Sequence, residues 1–117
     1  MNKERFYVTT PIYYINDVPT VGSAYTTIIG DILARWHRLK GEGVFFLTGL
    51  DENSIKTVQA AKRNGFKDIQ KYADLMAKKW KHVWKELNIT HDGFIRTTEE
   101  RHKKFVVGFF QKIYKKG

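Results

Sequence analysis

The chain has 117 residues and a formal net charge of +9, with 42% apolar and 15% aromatic side chains. This is enough apolar material for one globular core, and the lack of cysteine excludes disulfide bridges and thiolate metal sites. The sequence has no signal-peptide-like start and no run of the roughly 18 to 20 apolar residues that a membrane span needs, so we expect a cytoplasmic protein with no membrane partner.

The positive charge has two interpretations. It favours a polyanionic partner such as RNA, or nucleotide phosphates. The lysines are nevertheless spread over the polar faces of several predicted helices, which is also typical of a solvated surface. They are Lys78, Lys79, Lys81, Lys85, Lys103, Lys104, Lys112, Lys115 and Lys116.

The first predicted element is a strand, residues 5–10, which is rich in β-branched and aromatic residues and is ended by Pro11. A loop follows over residues 13–19. From Gly22, apolar residues recur at helical spacing until Gly41, a plausible helix cap. That apolar stripe contains Tyr25, Ile28, Ile29, Ile32, Leu33, Trp36 and Leu39.

The second predicted strand, residues 44–48, is a nearly continuous apolar run bounded by glycines. Such runs are typical of strands buried on both faces of a parallel sheet, so the first two strands should be parallel. Residues 49–54 follow, and the polar residues among them can cap a short helix that ends at Asn64-Gly65.

A longer amphipathic helix comes next, because apolar residues recur at steps of three and four. These residues are Ile69, Tyr72, Ala73, Met76, Trp80, Val83, Trp84 and Leu87. We interpret this aromatic stripe as part of the core and not as a cofactor site.

The last predicted elements are a strand, residues 90–95, and a helix opened by a capping box of Thr97 and Glu100. This helix is predicted to bury Phe105, Val106, Phe109, Phe110 and Ile113. The order β-α-β-α-α-β-α predicts an α/β fold with a parallel sheet and right-handed crossovers. Because the sequence stops after a helix, where an open sheet normally adds a strand, we expect the fold to be incomplete.

Two loops are candidate binding sites, since ligands of open parallel sheets bind beyond the carboxyl ends of the strands. Residues 10–23 bring backbone N–H groups and Gly22 to a helix amino terminus, which suits phosphate. Asp51 follows a buried strand and can pair with a substrate ammonium group. The residues alone predict a site for a nucleotide or a small zwitterion; Asp51 as a helix cap and Gly22 as a packing glycine remain alternatives.

The four histidines, His37, His82, His91 and His102, do not have the spacing of a metal site. Lysines lie beside two of them, so we interpret all four as surface residues and expect no metal site in these residues.

Four stretches of the sequence, residues 6–19, 24–27, 45–49 and 94–98, closely resemble the opening of bacterial methionyl-tRNA synthetases. The resemblance runs in order and nearly without gaps through all 117 residues. It implies that residues 1–117 are the amino-terminal part of a Rossmann-like class I catalytic domain. That family uses ATP, with Mg²⁺ expected, to form methionyl-adenylate, releases pyrophosphate, and transfers methionine to tRNA(Met).

The resemblance also implies roles for single residues. Ile12 and Tyr14 match residues of the methionine pocket, and Asp51 matches the carboxylate that binds the amino group of methionine. For Tyr14, a core aromatic is the alternative. Asn16 would lie near the nucleotide, or would act only as a turn former.

The family's His-Ile-Gly-His motif falls on Thr20-Val21-Gly22-Ser23, which would bind ATP. Gly22 is kept, so the nucleotide can approach the backbone closely. Thr20 and Ser23 occupy the catalytic positions of the two histidines, and their hydroxyl groups are shorter and cannot carry charge. In the second loop, Asn53 stands where many relatives have histidine.

The family's second motif, Lys-Met-Ser-Lys-Ser, does not occur in this sequence, and neither do the connective insertion, which carries zinc in many relatives, and the anticodon-binding domain. We therefore expect the chain alone to be inactive, with an unpaired sheet edge and with Trp84 and the phenylalanines of the last helix partly uncovered. Two alternatives stay open: a free-standing or decayed module that binds methionine or a nucleotide, and a small basic RNA-binding protein.

Overall fold

The computed structural model describes residues 4–117. The elements are β1 (Arg5–Tyr14), α1 (Val21–Leu39), β2 (Gly43–Asp51), α2 (Ile55–Arg63), α3 (Ile69–Glu86), β3 (Gly93–Arg96) and α4 (Glu100–Tyr114). All strand pairs are parallel, and the sheet order is β1-β2-β3. The predicted α/β class and the parallel pairing of the first two strands are confirmed. Within residues 4–117, both β1 and β3 pair with β2 alone.

β1 is longer than predicted, because Pro11 does not end it. The pairing with β2 shifts in register between Thr9 and Ile12, and Pro11 lies in that irregularity. Proline lacks an N–H group, which is tolerated in edge strands and at bulges. The prediction that Tyr13 and Tyr14 lie in a loop is therefore wrong, and Tyr14 pairs in register with Asp51 of β2.

α1 packs on the sheet through small and polar side chains, not through its apolar stripe. Its buried residues are Thr27, Gly30, Asp31 and Ala34. A Cβ atom on Gly30 would come within 3.1 Å of the Phe46 ring, so glycine allows the helix to lie close to β2. The predicted apolar stripe faces away from the sheet and is exposed along its whole length.

α3 supplies most of the core. Its buried residues are Tyr72, Ala73, Met76, Ala77, Trp80 and Trp84. They form one cluster with Ile15, Leu50, Phe94 and two alanines of α2. The interpretation of this aromatic stripe as core is confirmed. Trp84 is fully buried, so the expectation that it is partly uncovered is wrong.

The region from β3 to α4 differs from the prediction in three ways. β3 begins at Gly93, not at residue 90. α4 begins at Glu100 after Glu99, and no side chain caps it. The predicted capping box is wrong because the Thr97 hydroxyl accepts a hydrogen bond from the backbone N–H of Glu52 at 2.8 Å. α4 has no buried residue, so its predicted burial of Phe105, Phe109 and Phe110 is also wrong, whereas the expectation that these phenylalanines are partly uncovered is confirmed.

At the amino end of β3, a polar network joins α1 and β2 to the segment before β3. Asp31 accepts hydrogen bonds of 2.6 Å from both the backbone N–H and the hydroxyl of Thr90. Arg38 donates to Asp92, which in turn accepts from the backbone N–H of Phe46. Burial acts to raise the pKa of Asp31, but its hydrogen bonds from Thr90 and Arg35 outweigh burial and hold that pKa below its usual value.

The histidines are less uniformly exposed than predicted. His82 is exposed, while His37, His91 and His102 are half-buried. Nδ1 of His37 lies 2.5 Å from a carboxylate oxygen of Glu42, and its ring stacks on Phe6. Burial lowers the pKa of His91, which favours its neutral form. The surface assignment is therefore confirmed for His82, while the other three are only partly exposed.

Candidate functional site

The carboxyl ends of β1 and β2 bring most of the predicted site residues together. Tyr14 and Asp51 are register partners at these ends. Tyr14, Asn16, Thr20 and Ser23 line a cavity of about 190 Å³ next to the amino terminus of α1. Tyr13, Asp17, Val18 and Trp80 complete its lining. Ile12 instead lines a separate, more apolar cavity of about 510 Å³ beside α4.

Thr20 and Ser23 form the start of α1. Thr20 is the N-cap, and its hydroxyl accepts from the backbone N–H of Ser23 at 3.4 Å. The Ser23 hydroxyl accepts from the backbone N–H of Thr20 at 2.9 Å and donates to the Thr20 carbonyl at 2.9 Å. Thr20 and Ser23 therefore make a reciprocal capping box. Because the hydroxyl proton of Ser23 is bonded to the Thr20 carbonyl, Ser23 is a poorer hydrogen-bond donor to a ligand than Thr20.

The amino terminus of α1 is suited to an anion. The first N–H groups of a helix lack partners within the helix, and the helix dipole places partial positive charge there. No acidic residue occupies the first turn, and Val21 is 88% exposed. A Cβ atom on Gly22 would meet only the Thr20 hydroxyl, at an ordinary 3.7 Å. The packing alternative for Gly22 therefore has no support in the described residues, and the backbone there is open to a ligand.

Asp51 does not cap α2. Ser54 is the N-cap of that helix, and its hydroxyl accepts from the backbone N–H of Thr57 at 3.1 Å. Asp51 is half-buried, and its Oδ1 accepts from the backbone N–H of Asn53 at 3.1 Å. The carboxylate therefore retains capacity for a further donor such as an ammonium group. Tyr14 is 52% exposed, so it is not a core aromatic.

A buried ion pair that the sequence patterns did not predict lies directly beside Asp51. The Glu52 side chain is fully buried, and it accepts from Nε of Arg96 at 2.7 Å and from the Thr98 hydroxyl. Arg96 also donates to Asp74 of α3 at 2.6 Å. The bond from Arg96 lowers the pKa of Asp74. Although burial acts to lower the pKa of Arg96, its bonds to Glu52 and Asp74 raise it overall.

This ion pair joins the carboxyl end of β2 to the end of β3 and to α3. It thereby holds the backbone that carries Asp51. The one signal in the sequence was the charged pair Asp51-Glu52 at the end of an apolar strand, where one carboxylate must find a partner. The partner lies 44 residues away, so no local pattern identifies it.

The residues that the structure describes do not bring three His, Cys, Asp or Glu side chains together as metal ligands. None of the helices in residues 4–117 is both long enough and apolar enough to cross a membrane.

A parallel α/β sheet with a helix amino terminus and a carboxylate at its carboxyl edge is the architecture of Rossmann-like folds, which bind ligands at that edge. The family model for class I tRNA synthetases (M) matches residues 6–117. The chain belongs to this family, that of the methionine-specific class I tRNA synthetases.

Curated relatives agree with this assignment. The chain is 55% identical over 113 residues to the methionine–tRNA ligase of Thermotoga maritima. The matched region covers 97% of the chain and 18% of that relative. The chain is 50% identical over 115 residues to the methionine–tRNA ligase of Streptomyces coelicolor. That match covers 97% of the chain and 21% of the relative. The chain thus spans about a fifth of the length of these relatives.

Solved structures show the same fold. Mycobacterium tuberculosis methionyl-tRNA synthetase in complex with methionyl-adenylate matches with a TM-score of 0.83 at 40% identity, over 86% of the chain and 20% of that structure. A ternary complex of Agrobacterium radiobacter K84 LeuRS with tRNA and LeuAMS matches the whole chain with a TM-score of 0.88 at 21% identity, over 15% of that structure. The second likeness concerns the fold alone.

Proposed function

We propose that the chain forms the amino-terminal part of the adenylate-forming site of a methionine–tRNA ligase. The complete enzyme would join methionine to tRNA(Met) with ATP in the cytoplasm, through methionyl-adenylate and release of pyrophosphate. The observation that carries the proposal is the convergence of Tyr14, Asn16, Thr20 and Ser23 on one cavity at the amino terminus of α1, with Asp51 paired to Tyr14.

The methionine end of the site is assigned to Asp51, Tyr14 and Ile12. The carboxylate of Asp51 would receive the ammonium group of methionine. Within residues 4–117, its Oδ1 accepts only from the backbone N–H of Asn53, so the carboxylate can accept a further hydrogen bond. Tyr14 would cover the bound amino acid from the end of β1. The apolar cavity beside Ile12, which Leu47 and Ile95 also line, supports a place for an apolar side chain.

The ATP end is assigned to residues 20–23 and Asn16. The backbone N–H groups of Val21 and Gly22 would bind phosphate oxygens at the positive end of the helix dipole. Thr20 would donate its hydroxyl proton to the charge that develops at the reacting phosphorus, a type of contact worth roughly 2.7 to 4 kcal/mol. Ser23 would act mainly through Thr20, since its own proton is bonded to the Thr20 carbonyl. Mg²⁺ would accompany ATP on its phosphates.

The test is binding of a stable methionyl-adenylate analogue, methionyl sulfamoyl adenosine, to the 117-residue chain by isothermal titration calorimetry. We expect Asp51→Asn to weaken binding about tenfold or more, because a hydrogen bond to a charged group contributes about 1.5–3 kcal/mol. Asp68→Asn is the matched control: Asp68 is the exposed N-cap of α3, where asparagine caps equally well.

Equal affinity of Asp51→Asn and the unmodified chain would remove Asp51 from the site. Absence of saturable binding to the unmodified chain would contradict the proposal for these residues.

A further inference from the structure

Two side chains of α3 bind the backbone of the loop that leads from β1 to α1, residues 15–20. Nε1 of Trp80 donates to the Asp17 carbonyl at 3.0 Å. The Tyr72 hydroxyl donates to the Ile15 carbonyl at 3.1 Å, and the Asn16 carbonyl lies 3.4 Å from it. Three consecutive carbonyls of this loop therefore face two donors on one side of α3. Burial raises the pKa of Tyr72, so its hydroxyl keeps the proton that it donates.

Trp80 also reaches the first turns of α1 through Tyr13. The two rings stack with their centroids 5.1 Å apart. The Tyr13 hydroxyl lies 2.9 Å from that of Thr27 and donates to the Ser23 carbonyl at 3.3 Å. One buried indole thus contacts the loop with its N–H group and supports the start of α1 with its ring. Trp80 is also part of the cavity that Thr20 and Ser23 line.

Trp84 lies one turn further along α3 and provides a contrast. It is fully buried, and its ring stands edge-on to that of Trp80. Within residues 4–117, however, its Nε1 has no hydrogen-bond partner. Trp84 therefore acts by packing alone, whereas Trp80 packs and also donates a directed hydrogen bond.

We propose that Trp80 and Tyr72 are positioning residues for the nucleotide end of the site: they hold the loop of residues 15–20 so that Thr20 and the free N–H groups of α1 face the ligand. The ligand in this inference rests on the proposed function, whereas the positioning of the loop does not. Neither residue needs to touch the reacting atoms. A conformation held by hydrogen bonds from two side chains of α3 is fixed before the ligand arrives, so less ordering is required on binding.

The experiment compares Trp80→Phe and Tyr72→Phe with the control Trp84→Phe in the 117-residue chain. Each change removes one polar hydrogen and keeps an aromatic ring. The first readout is amide hydrogen exchange, measured by NMR, at Val18 and Thr20. These amides donate to Oδ1 of Asp17 at 2.7 Å and to the Ser23 hydroxyl at 2.9 Å, so their protection reports the loop and the capping box. The second readout is affinity for methionyl sulfamoyl adenosine.

We expect Trp80→Phe and Tyr72→Phe to accelerate exchange at both amides and to weaken the analogue roughly 2- to 12-fold, the range for one hydrogen bond. Trp84→Phe should have a clearly smaller effect on both readouts, because the Trp84 ring meets Tyr13 and Trp80 edge-on but donates no hydrogen bond to the loop. Equal effects of Trp80→Phe and Trp84→Phe, or no effect of Trp80→Phe and Tyr72→Phe on exchange, would overturn the inference. Amide exchange could differ between the variants as expected while the unmodified chain does not bind the analogue. In that case Trp80 and Tyr72 do position the loop, and the proposed function is wrong.

Discussion

α3 and α4 have the same apolar periodicity, but α3 is buried on one face and α4 is exposed. Both carry apolar and aromatic residues at steps of three and four among many lysines. α3 buries six residues, including Trp80 and Trp84, whereas α4 buries none. On α4, Phe105 is 72% exposed and Phe110 is 66% exposed. Equal periodicity therefore does not imply equal burial.

The difference lies in the surfaces that each helix meets. α3 packs against Ile15, Leu50, Phe94 and α2, and is joined to the sheet by Asp74 and Arg96. α4 faces an open cavity of about 510 Å³ that Tyr7 and Ile12 also line. Its polar attachment is a hydrogen bond of 2.7 Å from Arg101 to the Phe94 carbonyl. An apolar stripe predicts a helix that can be buried, while a second apolar surface decides whether it is buried.

The largest effect on stability should come from a change in α3, the buried helix. Trp84→Ala removes a fully buried indole, so we expect the free energy of unfolding to fall by about 3–5 kcal/mol. Urea denaturation followed by circular dichroism measures this loss. Trp36→Ala is the control, since Trp36 is 60% exposed on α1 and its removal should change stability by about 0.5 kcal/mol or less. Similar losses in the two variants would contradict the burial contrast.

A somewhat smaller loss should follow from breaking the ion pair that joins α3 to the sheet. Arg96→Met leaves the buried carboxylate of Glu52 without its cation, so we expect a loss of about 3 kcal/mol. The double variant Glu52→Gln/Arg96→Met should recover part of that loss, because no buried charge is then left unpaired; the Asp74 carboxylate, which also loses Arg96, is half exposed to water. Both values come from the same urea titrations. A double variant less stable than Arg96→Met would show that the uncompensated charge is not the cause.

The smallest effect on stability is expected on α4. Phe109 is 52% exposed and stacks only loosely on Phe105, with centroids 6.1 Å apart. Phe109→Ser should therefore change the free energy of unfolding by about 0.5 kcal/mol or less. It should also reduce self-association in analytical ultracentrifugation, because exposed aromatic surface promotes association. A loss as large as that of Trp84→Ala would mean that α4 is packed in solution.

Local sequence patterns predicted α2 closely. Its cap, Ser54, bonds to Thr57 three residues away, and Gly65 follows its end with a φ of +76°. The position of Asp51 at the end of β2 and the alternation of strands and helices were also predictable. The capping roles of Thr20 and Ser23 at the start of α1 are also contained in their spacing of three residues.

Other features depend on partners that are distant in sequence. Pro11 lies within β1, where the register with β2 is irregular, and Thr97 binds the backbone of Glu52 instead of capping α4. Trp80 binds Asp17, which is 63 residues away. No pattern within one element contains this information, because a residue's neighbours over such separations are set by which surfaces meet.

The sequence by itself therefore determined the helices, the parallel α/β class, and which loops carry the polar residues of the site. Its resemblance to a known family also pointed to the ligands. Only the tertiary structure decided which apolar stripes are buried, which carboxylate is paired, and how the loop before α1 is held. The physical reason is range. Helix periods and caps involve residues within about four positions of one another, whereas burial and the bonds from α3 require surfaces brought together by the whole fold.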